Sequence, residues 1–349
     1  MKYCFVFILN VITLFYGSAS IAEEIQNPSR WIGVVDATNK TFGWPGSGIS
    51  LSFNGSSLSV SLKDSGKNSL IVSDGERSFR LNLKSGTHTY ELVTNLPMGA
   101  HVVDITRRTE GLFGDTEFVS AATDGAFVPA AEPQRRLLII GDSISAGYGI
   151  EGANAQCPFS ADTENQYLTY GAIAGRRNHA DVTTIAVSGI GVSRNFGGQA
   201  TPTMPQMMDR PSPNRAKANP DQLRAPPVYQ AIVINLGTND FSQGSRPAGF
   251  VADYTALLKK LRQQQPTAMI YAALGPMLAE ADFHAAEQAI QQAVTIRQAD
   301  GDHALASLRL KNQQTGGTGC NWHPNVAAHA AMADILSETL QHDLGWNAP

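Results

Sequence analysis

The 349-residue sequence has only three cysteines, few charged side chains and, beyond its first residues, no long apolar run. Charged residues make up 16% of the chain and the formal net charge is −4, so no excess of positive charge attracts nucleic acid or an anionic membrane surface. No later apolar stretch approaches the roughly 20 residues that a membrane-spanning helix needs. The sequence therefore predicts neither a nucleic-acid partner nor a membrane anchor.

The residue patterns that usually hold a cofactor are also absent from the sequence. No cluster of His, Asp and Glu has the spacing of a metal site, and no glycine-rich loop has the pattern that cradles a phosphate. We therefore expect no metal and no other cofactor. The 32 glycines and 18 prolines are typical of a compact chain rich in turns.

The first 22 residues have the order of a secretory signal peptide. Lys2 precedes an apolar stretch over residues 5–15, and the small residues of segment 18–22 come before two acidic residues. Cys4 lies ahead of the apolar stretch, whereas a lipoprotein anchor needs a cysteine at the cleavage point. We expect cleavage after Ala22 and a secreted or periplasmic protein.

Two cysteines remain after that cleavage, Cys157 and Cys320. An even number of cysteines in an oxidising compartment favours a disulfide bond. We expect the two to be bonded to each other, and the alternative is a pair of buried free thiols.

The rest of the chain divides into two parts with different hydrophobic periods. Between residues 31 and 130, short segments such as 49–53 and 58–62 alternate apolar and polar side chains, as half-buried antiparallel strands do. Turn pairs such as Asn54-Gly55 separate these segments, and no helical stretch of useful length appears. We therefore expect an all-β sandwich over residues 23–130, ending in a linker at residues 129–133.

After the linker, wholly apolar segments alternate with helix-like segments. The apolar segments are residues 137–140, 182–187, 231–236 and 269–274, and the helix-like segments include 250–265, 287–300 and 325–344. Short strands that are apolar throughout are typical of a parallel sheet covered by helices on both faces. Residues 131–349 are therefore predicted to form an α/β domain.

Four short segments carry the candidate chemistry. Three follow predicted strands and the fourth precedes the last predicted helix: Gly141-Asp142-Ser143, Ser188-Gly189-Ile190-Gly191, Gly237-Thr238-Asn239-Asp240 and Trp322-His323-Pro324. Because the carboxyl ends of parallel strands meet at one edge of a sheet, we expect the first three segments to lie close together.

In order and spacing these segments resemble those of the SGNH hydrolases, also called GDSL-type hydrolases. Ser143, Gly189, Asn239 and His323 stand at the four positions that give the family its name. The β segment, with Trp44-Pro45-Gly46, followed by such a hydrolase, resembles carbohydrate esterase family 2. The resemblance implies an N-terminal jelly roll, an SGNH-hydrolase parallel sheet flanked by helices, and removal of acetyl groups from carbohydrate.

The chemistry of these residues supports a serine esterase. A serine hydroxyl is a weak nucleophile until a base removes its proton, and imidazole has a pKa close to neutral, so we predict that Ser143 and His323 are catalytic. Attack on an ester creates an alkoxide, which the backbone N–H groups of Ser143 and Gly189 and the amide of Asn239 are predicted to stabilise. We expect Asp142 to brace the serine turn. The alternatives are that Gly189 only forms a turn and Asn239 only caps a helix.

The sequence departs from the family pattern just before the histidine. SGNH hydrolases usually have an aspartate three residues before it, and members of carbohydrate esterase family 2 commonly have one two residues before it. Here those positions hold Cys320 and Asn321. A neutral amide cannot stabilise an imidazolium by charge, but either an amide oxygen or a main-chain carbonyl can hold the ring. We therefore predict a Ser-His dyad oriented by Asn321 or by a main-chain carbonyl.

An acetylated carbohydrate, such as a plant-type polysaccharide, is the expected substrate. Trp322 is a candidate wall for the sugar ring or the acetyl methyl group, although packing in the core is an alternative. Tyr148, Asn154 and Arg194 are weaker candidates for substrate contact. Two other functions remain open: a lipid or general carboxyl esterase of the same mechanism, and a catalytically silent glycan-binding protein.

Overall fold

The computed structural model describes residues 23–216, 227–310 and 316–346. An all-β sandwich is followed by an α/β domain built on a parallel sheet, which confirms the predicted fold class. The predicted signal peptide, residues 1–22, lies outside the described residues. None of the helices in the described ranges has the length and hydropathy of a membrane span.

Two antiparallel sheets form the sandwich. Its strands are β1 (Glu23–Ile25), β2 (Arg30–Ile32), β3 (Thr41–Phe42), β4 (Gly48–Gly55), β5 (Leu58–Asp64), β6 (Ser69–Ser73), β7 (Ser78–Asn82), β8 (Gly86–Val93), β9 (Gly99–Arg107), β10 (Thr116–Thr123) and β11 (Ala126–Phe127). One sheet has the order β1-β10-β5-β8 with β3 beside β10, and the other has the order β11-β4-β9-β6-β7 with β2 beside β4. In β5, Leu58, Val60 and Leu62 are buried while the serines between them are half-buried, as the period of two predicts.

The second domain contains one parallel sheet among the described residues, in the order β13-β12-β14-β15-β16. These strands are β12 (Arg135–Gly141), β13 (Ala180–Ala186), β14 (Ala231–Asn235), β15 (Met269–Leu274) and β16 (Leu305–Arg309). The helices are α1 (Ser143–Ala146), α2 (Tyr170–Arg177), α3 (Met204–Met207), α4 (Thr238–Phe241), α5 (Phe250–Gln264), α6 (Glu280–Ala299) and α7 (Val326–Leu344). Gly141 pairs with Ala186 on one side and Asn235 on the other, so three strands end at the same level.

The wholly apolar strands are buried on both faces because helices cover both sides of this sheet. Leu138 and Ile140 of β12 belong to the apolar cluster that contains the inward side chains of α5 and α6. Leu137 and Ile139 belong to a second cluster, which contains those of α2 and α7. Alternate residues of one strand therefore fill two cores, which is why the sequence shows no polar face.

One helix boundary and one additional strand differ from the sequence-based expectation. Helix α6 begins at Glu280 rather than at residue 287, because the preceding residues are good helix formers with acidic side chains in the first turn. Strand β16 was not predicted, since its sequence Leu-Ala-Ser-Leu-Arg lacks a continuous apolar run. It lies at the edge of the sheet, where alternate residues remain exposed.

The sandwich is attached to the α/β domain through Trp44. This side chain is fully buried and belongs to the same apolar cluster as Ile140 and Val192 of the second domain. Its indole Nε1–H donates a hydrogen bond to the main-chain oxygen of Arg210 at 3.1 Å. A sandwich residue thus completes the core of the neighbouring domain.

We expect Trp44→Ala to lower the free energy of unfolding by about 3 to 5 kcal/mol, because a large side chain is removed from a closed core. Trp44→Phe keeps most of the apolar surface and loses the indole hydrogen bond, so it should cost less. Urea unfolding monitored by far-UV circular dichroism measures both values. Equal midpoints for Trp44→Ala and the natural protein would show that the indole does not hold the domains together.

Candidate active site

Ser143 is the first residue of α1 and follows the sharp turn at the end of β12. Asp142 caps the helix, because its Oδ1 accepts a hydrogen bond from the backbone N–H of Ile144 at 3.0 Å. Gly141 leaves room for the turn, since a Cβ there would lie 2.1 Å from Ser145 Oγ. The bracing role predicted for Asp142 is therefore matched by a direct contact, and the serine sits at the carboxyl edge of the sheet.

His323 reaches Ser143 from the loop before α7. Its Nε2 lies 2.8 Å from Ser143 Oγ, and its Nδ1 lies 3.0 Å from the main-chain oxygen of Asn321. A carbonyl oxygen can only accept a hydrogen bond, so the proton belongs on Nδ1. The lone pair of Nε2 is then directed at the serine hydroxyl, as a general base requires.

The main-chain oxygen of Asn321 reaches the ring because the preceding chain has an unusual conformation. Asn321 and Trp322 have φ values of 51° and 63°, in the left-handed region that non-glycine residues seldom adopt. Cys320 anchors this turn twice, through a disulfide bond to Cys157 and through its N–H, which donates to the main-chain oxygen of Gly149 at 2.9 Å. The predicted disulfide is thus present in the structure, adjacent to the turn that orients His323.

The side chain of Asn321 points away from the histidine. Its Nδ2 donates to the hydroxyl of Tyr148 at 2.8 Å. The Tyr148 ring packs against His323 with centroids 4.2 Å apart and stacks on Phe159 at 3.6 Å. The imidazole is therefore held by a carbonyl at one edge and by an aromatic ring at its face.

The environment of His323 favours its neutral form. Burial lowers its pKa to about 4, and the hydrogen bond to the Asn321 carbonyl offsets only part of that effect. Among the described residues, no carboxylate contributes to the pKa of this imidazole. The ring therefore lacks the charge partner that an aspartate provides in a catalytic triad.

Two backbone N–H groups at this edge of the sheet are available as hydrogen-bond donors for an oxyanion. Those of Ser143 and Gly189 form no hydrogen bond with another described residue. Gly189 follows β13 and has φ = 79°, a conformation that strains any residue with a Cβ. The structure therefore brings the predicted backbone donors to the edge of the sheet where the serine lies.

Asn239, on α4, lies at the same edge, but its side-chain amide already makes hydrogen bonds within the protein. Its Nδ2 donates to the main-chain oxygen of Ile190 at 2.7 Å and lies 3.4 Å from Asp142 Oδ2. Burial, with a smaller contribution from the negative charge of Asp240, raises the pKa of Asp142 to about 7. One amide hydrogen of Asn239 is thus used by the loop after Gly189, and the other makes only a long contact.

The other candidates for substrate contact are Trp322, Asn154 and Arg194, and their surroundings differ. Trp322 is 60% exposed, so it does not pack in the core. Asn154 forms an exposed turn before Cys157. The backbone of Arg194 donates to Asp240, away from the dyad contacts. In the described ranges, no group of three or more His, Cys, Asp or Glu side chains has the geometry to hold a metal ion.

Sequence reasoning gave too little weight to Tyr148 and missed Glu110. Glu110 belongs to the sandwich, yet its Oε2 accepts a hydrogen bond from the N–H of Ser188 at 2.7 Å, beside Gly189. A charged residue next to two arginines, in Arg107-Arg108-Thr109-Glu110, resembles a solvated surface segment in sequence. The structure instead buries all four residues.

Comparisons with known sequences agree with this architecture. Residues 31–133 match the Carbohydrate esterase 2 N-terminal family, and residues 139–331 match the GDSL-like Lipase/Acylhydrolase family. Cellulase/esterase CelE from Acetivibrio thermocellus is 34% identical over 87% of this chain, which spans 38% of the length of that protein. An acetylxylan esterase / glucomannan deacetylase from Cellvibrio japonicus is 28% identical over 87% of this chain and 86% of its own length.

Solved structures give the same result. A family two carbohydrate esterase from Clostridium thermocellum, in complex with cellohexaose, is 31% identical with a TM-score of 0.82, over 93% of this chain and all of that one. A carbohydrate esterase family 2 enzyme from Corynascus thermopiles is 32% identical with a TM-score of 0.81, over 91% of this chain and 99% of that one. The chain therefore belongs to carbohydrate esterase family 2, a family of carboxylic ester hydrolases.

Proposed function

We propose that this protein is a serine esterase that removes O-acetyl groups from polysaccharides through a dyad of Ser143 and His323. The observation that carries the proposal is the 2.8 Å contact between His323 Nε2 and Ser143 Oγ, with Nδ1 bonded to a carbonyl on the other side of the ring. This arrangement supplies a nucleophile, a base in the correct tautomer and an orienting group. Family membership supports ester hydrolysis as the reaction.

The first half of the reaction acylates the serine. His323 Nε2 accepts the proton of Ser143 Oγ while the oxygen attacks the acetyl carbonyl carbon. The negative charge that develops on the carbonyl oxygen is stabilised by the N–H groups of Ser143 and Gly189. The amide hydrogen of Asn239 that makes only the 3.4 Å contact with Asp142 Oδ2 turns to the oxyanion as the third donor. The tetrahedral intermediate collapses with cleavage of the bond to the sugar oxygen, which takes the proton from the imidazolium and leaves as a hydroxyl, and Ser143 remains acetylated.

The second half uses water as the nucleophile. His323, neutral again, removes a proton from a water molecule that attacks the acetyl-serine carbonyl, and the same donors stabilise the oxyanion. Collapse of the tetrahedral intermediate transfers the proton from the imidazolium to Ser143 Oγ and releases acetic acid, which ionises to acetate in water. The main-chain oxygen of Asn321 accepts the Nδ1–H bond in every step, so the ring keeps its orientation.

The proposed substrate is an acetylated plant-type polysaccharide. Relatives whose names include acetylxylan esterase and glucomannan deacetylase, and a related structure with bound cellohexaose, support a β-linked glycan. The exposed indole of Trp322 beside His323 offers a flat apolar surface for a sugar ring. The signal-like segment 1–22 supports secretion to the compartment where such polymers occur.

We expect Ser143→Ala and His323→Ala each to lower kcat by at least about a thousandfold, because nucleophile and base act as one unit. Acetate release from acetylated xylan and acetylated glucomannan measures the effect. Long-chain acyl esters form the second arm of the assay. If the long-chain esters are hydrolysed with a higher kcat/KM than the acetylated polymers, the proposed polysaccharide substrate is wrong and the substrate is a lipid ester.

Asn321→Gly should retain kcat within about tenfold, since glycine keeps both the positive φ and the carbonyl that accepts the histidine proton. Asn321→Ala removes the same side chain but strains the backbone, so it should lose more. Steady-state kinetics on an acetylated substrate compare the two. A loss near ten-thousandfold in Asn321→Gly, the size expected when a triad loses its carboxylate, would assign the orienting role to the side chain.

The pH dependence of kcat/KM should reveal the lowered pKa of the half-buried base His323. His323 must be neutral to accept a proton, so activity falls as the pH drops through its pKa. Burial shifts that acidic limb from the ordinary value of 6.5 to a midpoint near 4. An inflection near pH 7 that disappears in Asp142→Asn belongs to Asp142, whose pKa is about 7. A histidine limb at 6.5 would contradict the lowered pKa of this ring.

A further inference from the structure

Glu110 is a sandwich residue whose side chain contacts the proposed oxyanion loop. Glu110 lies three residues after the end of β9 and is 1% exposed. Its Oε2 accepts a 2.7 Å hydrogen bond from the N–H of Ser188. Ser188 directly precedes Gly189, so this carboxylate holds the peptide next to the proposed oxyanion donor.

The backbone of Glu110 is itself fixed from two sides. The buried guanidinium of Arg107 donates to the main-chain oxygen of Glu110 at 3.2 Å. The N–H of Glu110 donates to Oε2 of Glu164, a residue of the α/β domain, at 3.1 Å. The position of the Glu110 carboxylate is therefore determined by both domains.

The loop that receives this contact is closed by a turn, in which the N–H of Ile190 donates to the main-chain oxygen of Val187 at 3.3 Å, and it is held further on its far side. The main-chain oxygen of Gly189 accepts from the N–H of Phe196 at 2.8 Å, and that of Ile190 accepts from Asn239 Nδ2 at 2.7 Å. The direction of the Gly189 N–H depends on the Ser188–Gly189 peptide plane, and glycine itself restricts that plane very little. The bond from Ser188 to Glu110 supplies the constraint on the near side.

A carboxylate at this position destabilises the fold, because its charge is removed from water. Burial raises the pKa of Glu110, and burial together with the charge of Glu110 raises that of Glu164. One oxygen of each carboxylate, Oε1, has no hydrogen-bond partner among the described residues. Buried carboxylates that are only partly satisfied destabilise a fold, so packing alone gives no reason for this pair.

We propose that Glu110 is a positioning residue for the oxyanion hole, acting through the Ser188 N–H to orient the N–H of Gly189. The inference rests on the proposed function, in which Gly189 is an oxyanion donor. It makes the sandwich a structural part of the active site, because the contact crosses the domain boundary. The effect appears in the transition state, when charge develops on the carbonyl oxygen, rather than in substrate binding.

Two variants of Glu110 separate the effect of side-chain length from the effect of its negative charge. Glu110→Asp keeps the negative charge but withdraws the carboxylate by about one carbon–carbon bond, roughly 1.5 Å. Glu110→Gln loses the charge but keeps an oxygen acceptor at the same distance. We expect Glu110→Asp to lower kcat between about tenfold and a hundredfold with little change in KM, and Glu110→Gln to lose less than about tenfold.

Asp181→Asn is the matched control. Asp181 lies at the start of β13, the strand that ends before Ser188, and pairs across the same domain interface with Arg30 at 3.0 Å. This variant should lower the melting temperature without lowering kcat. If Asp181→Asn lowers kcat as much as Glu110→Asp, or if Glu110→Gln is the more damaged of the Glu110 pair, the positioning role is overturned.

Activity assays of Ser143→Ala and Glu110→Asp distinguish failure of the positioning role from failure of the serine mechanism. If Ser143→Ala retains activity, the serine mechanism fails and the effect of Glu110 has a different origin. If Ser143→Ala is inactive while Glu110→Asp keeps the natural kcat, the esterase mechanism stands and the positioning role alone is wrong. Circular dichroism and a thermal melt on each variant establish that folded protein is compared.

Discussion

The hydrogen bond between His323 Nδ1 and the main-chain oxygen of Asn321 is the contact on which the rest of the site depends. It determines which ring nitrogen carries the proton and so leaves Nε2 free for Ser143. The bond requires Asn321 and Trp322 to adopt positive φ values, which cost energy in non-glycine residues. The Cys157–Cys320 disulfide and the Tyr148 contacts lie around this turn, and they offset that cost by restricting the alternatives.

Much of the architecture was predictable because the relevant signals are local. Strands covered on both faces must be apolar throughout, and that pattern located both ends of β12 to β15 to within two residues. Once the sheet is parallel, the residues after its strands meet at one edge, which places Ser143 and Gly189 together. The alternation in the first domain predicted a sandwich, since one face of a strand such as β5 is buried and the other is partly exposed to solvent.

The parts that escaped prediction depend on backbone conformation and on contacts distant in sequence. Every residue has a main-chain carbonyl, so no side-chain pattern distinguishes the one at Asn321, and only the φ values of the turn direct it at the histidine. Glu110 and Ser188 are 78 residues apart and belong to different domains. The burial of the segment that contains Glu110 follows from the docking of the two domains, which the composition of that segment does not reveal.

In the proposed dyad, a neutral orienting group changes how the lowering of the barrier is divided between the histidine and the oxyanion donors. An aspartate would raise the pKa of His323 and stabilise the imidazolium that forms during attack, whereas a carbonyl does this only weakly. Since burial holds the pKa of His323 near 4, the base is neutral over a wide pH range but accepts the serine proton less readily. The barrier then depends more strongly on how well the oxyanion is stabilised. The proposed orientation of the Gly189 N–H by Glu110, through its 2.7 Å hydrogen bond from Ser188, would meet that requirement without placing another charge against the histidine.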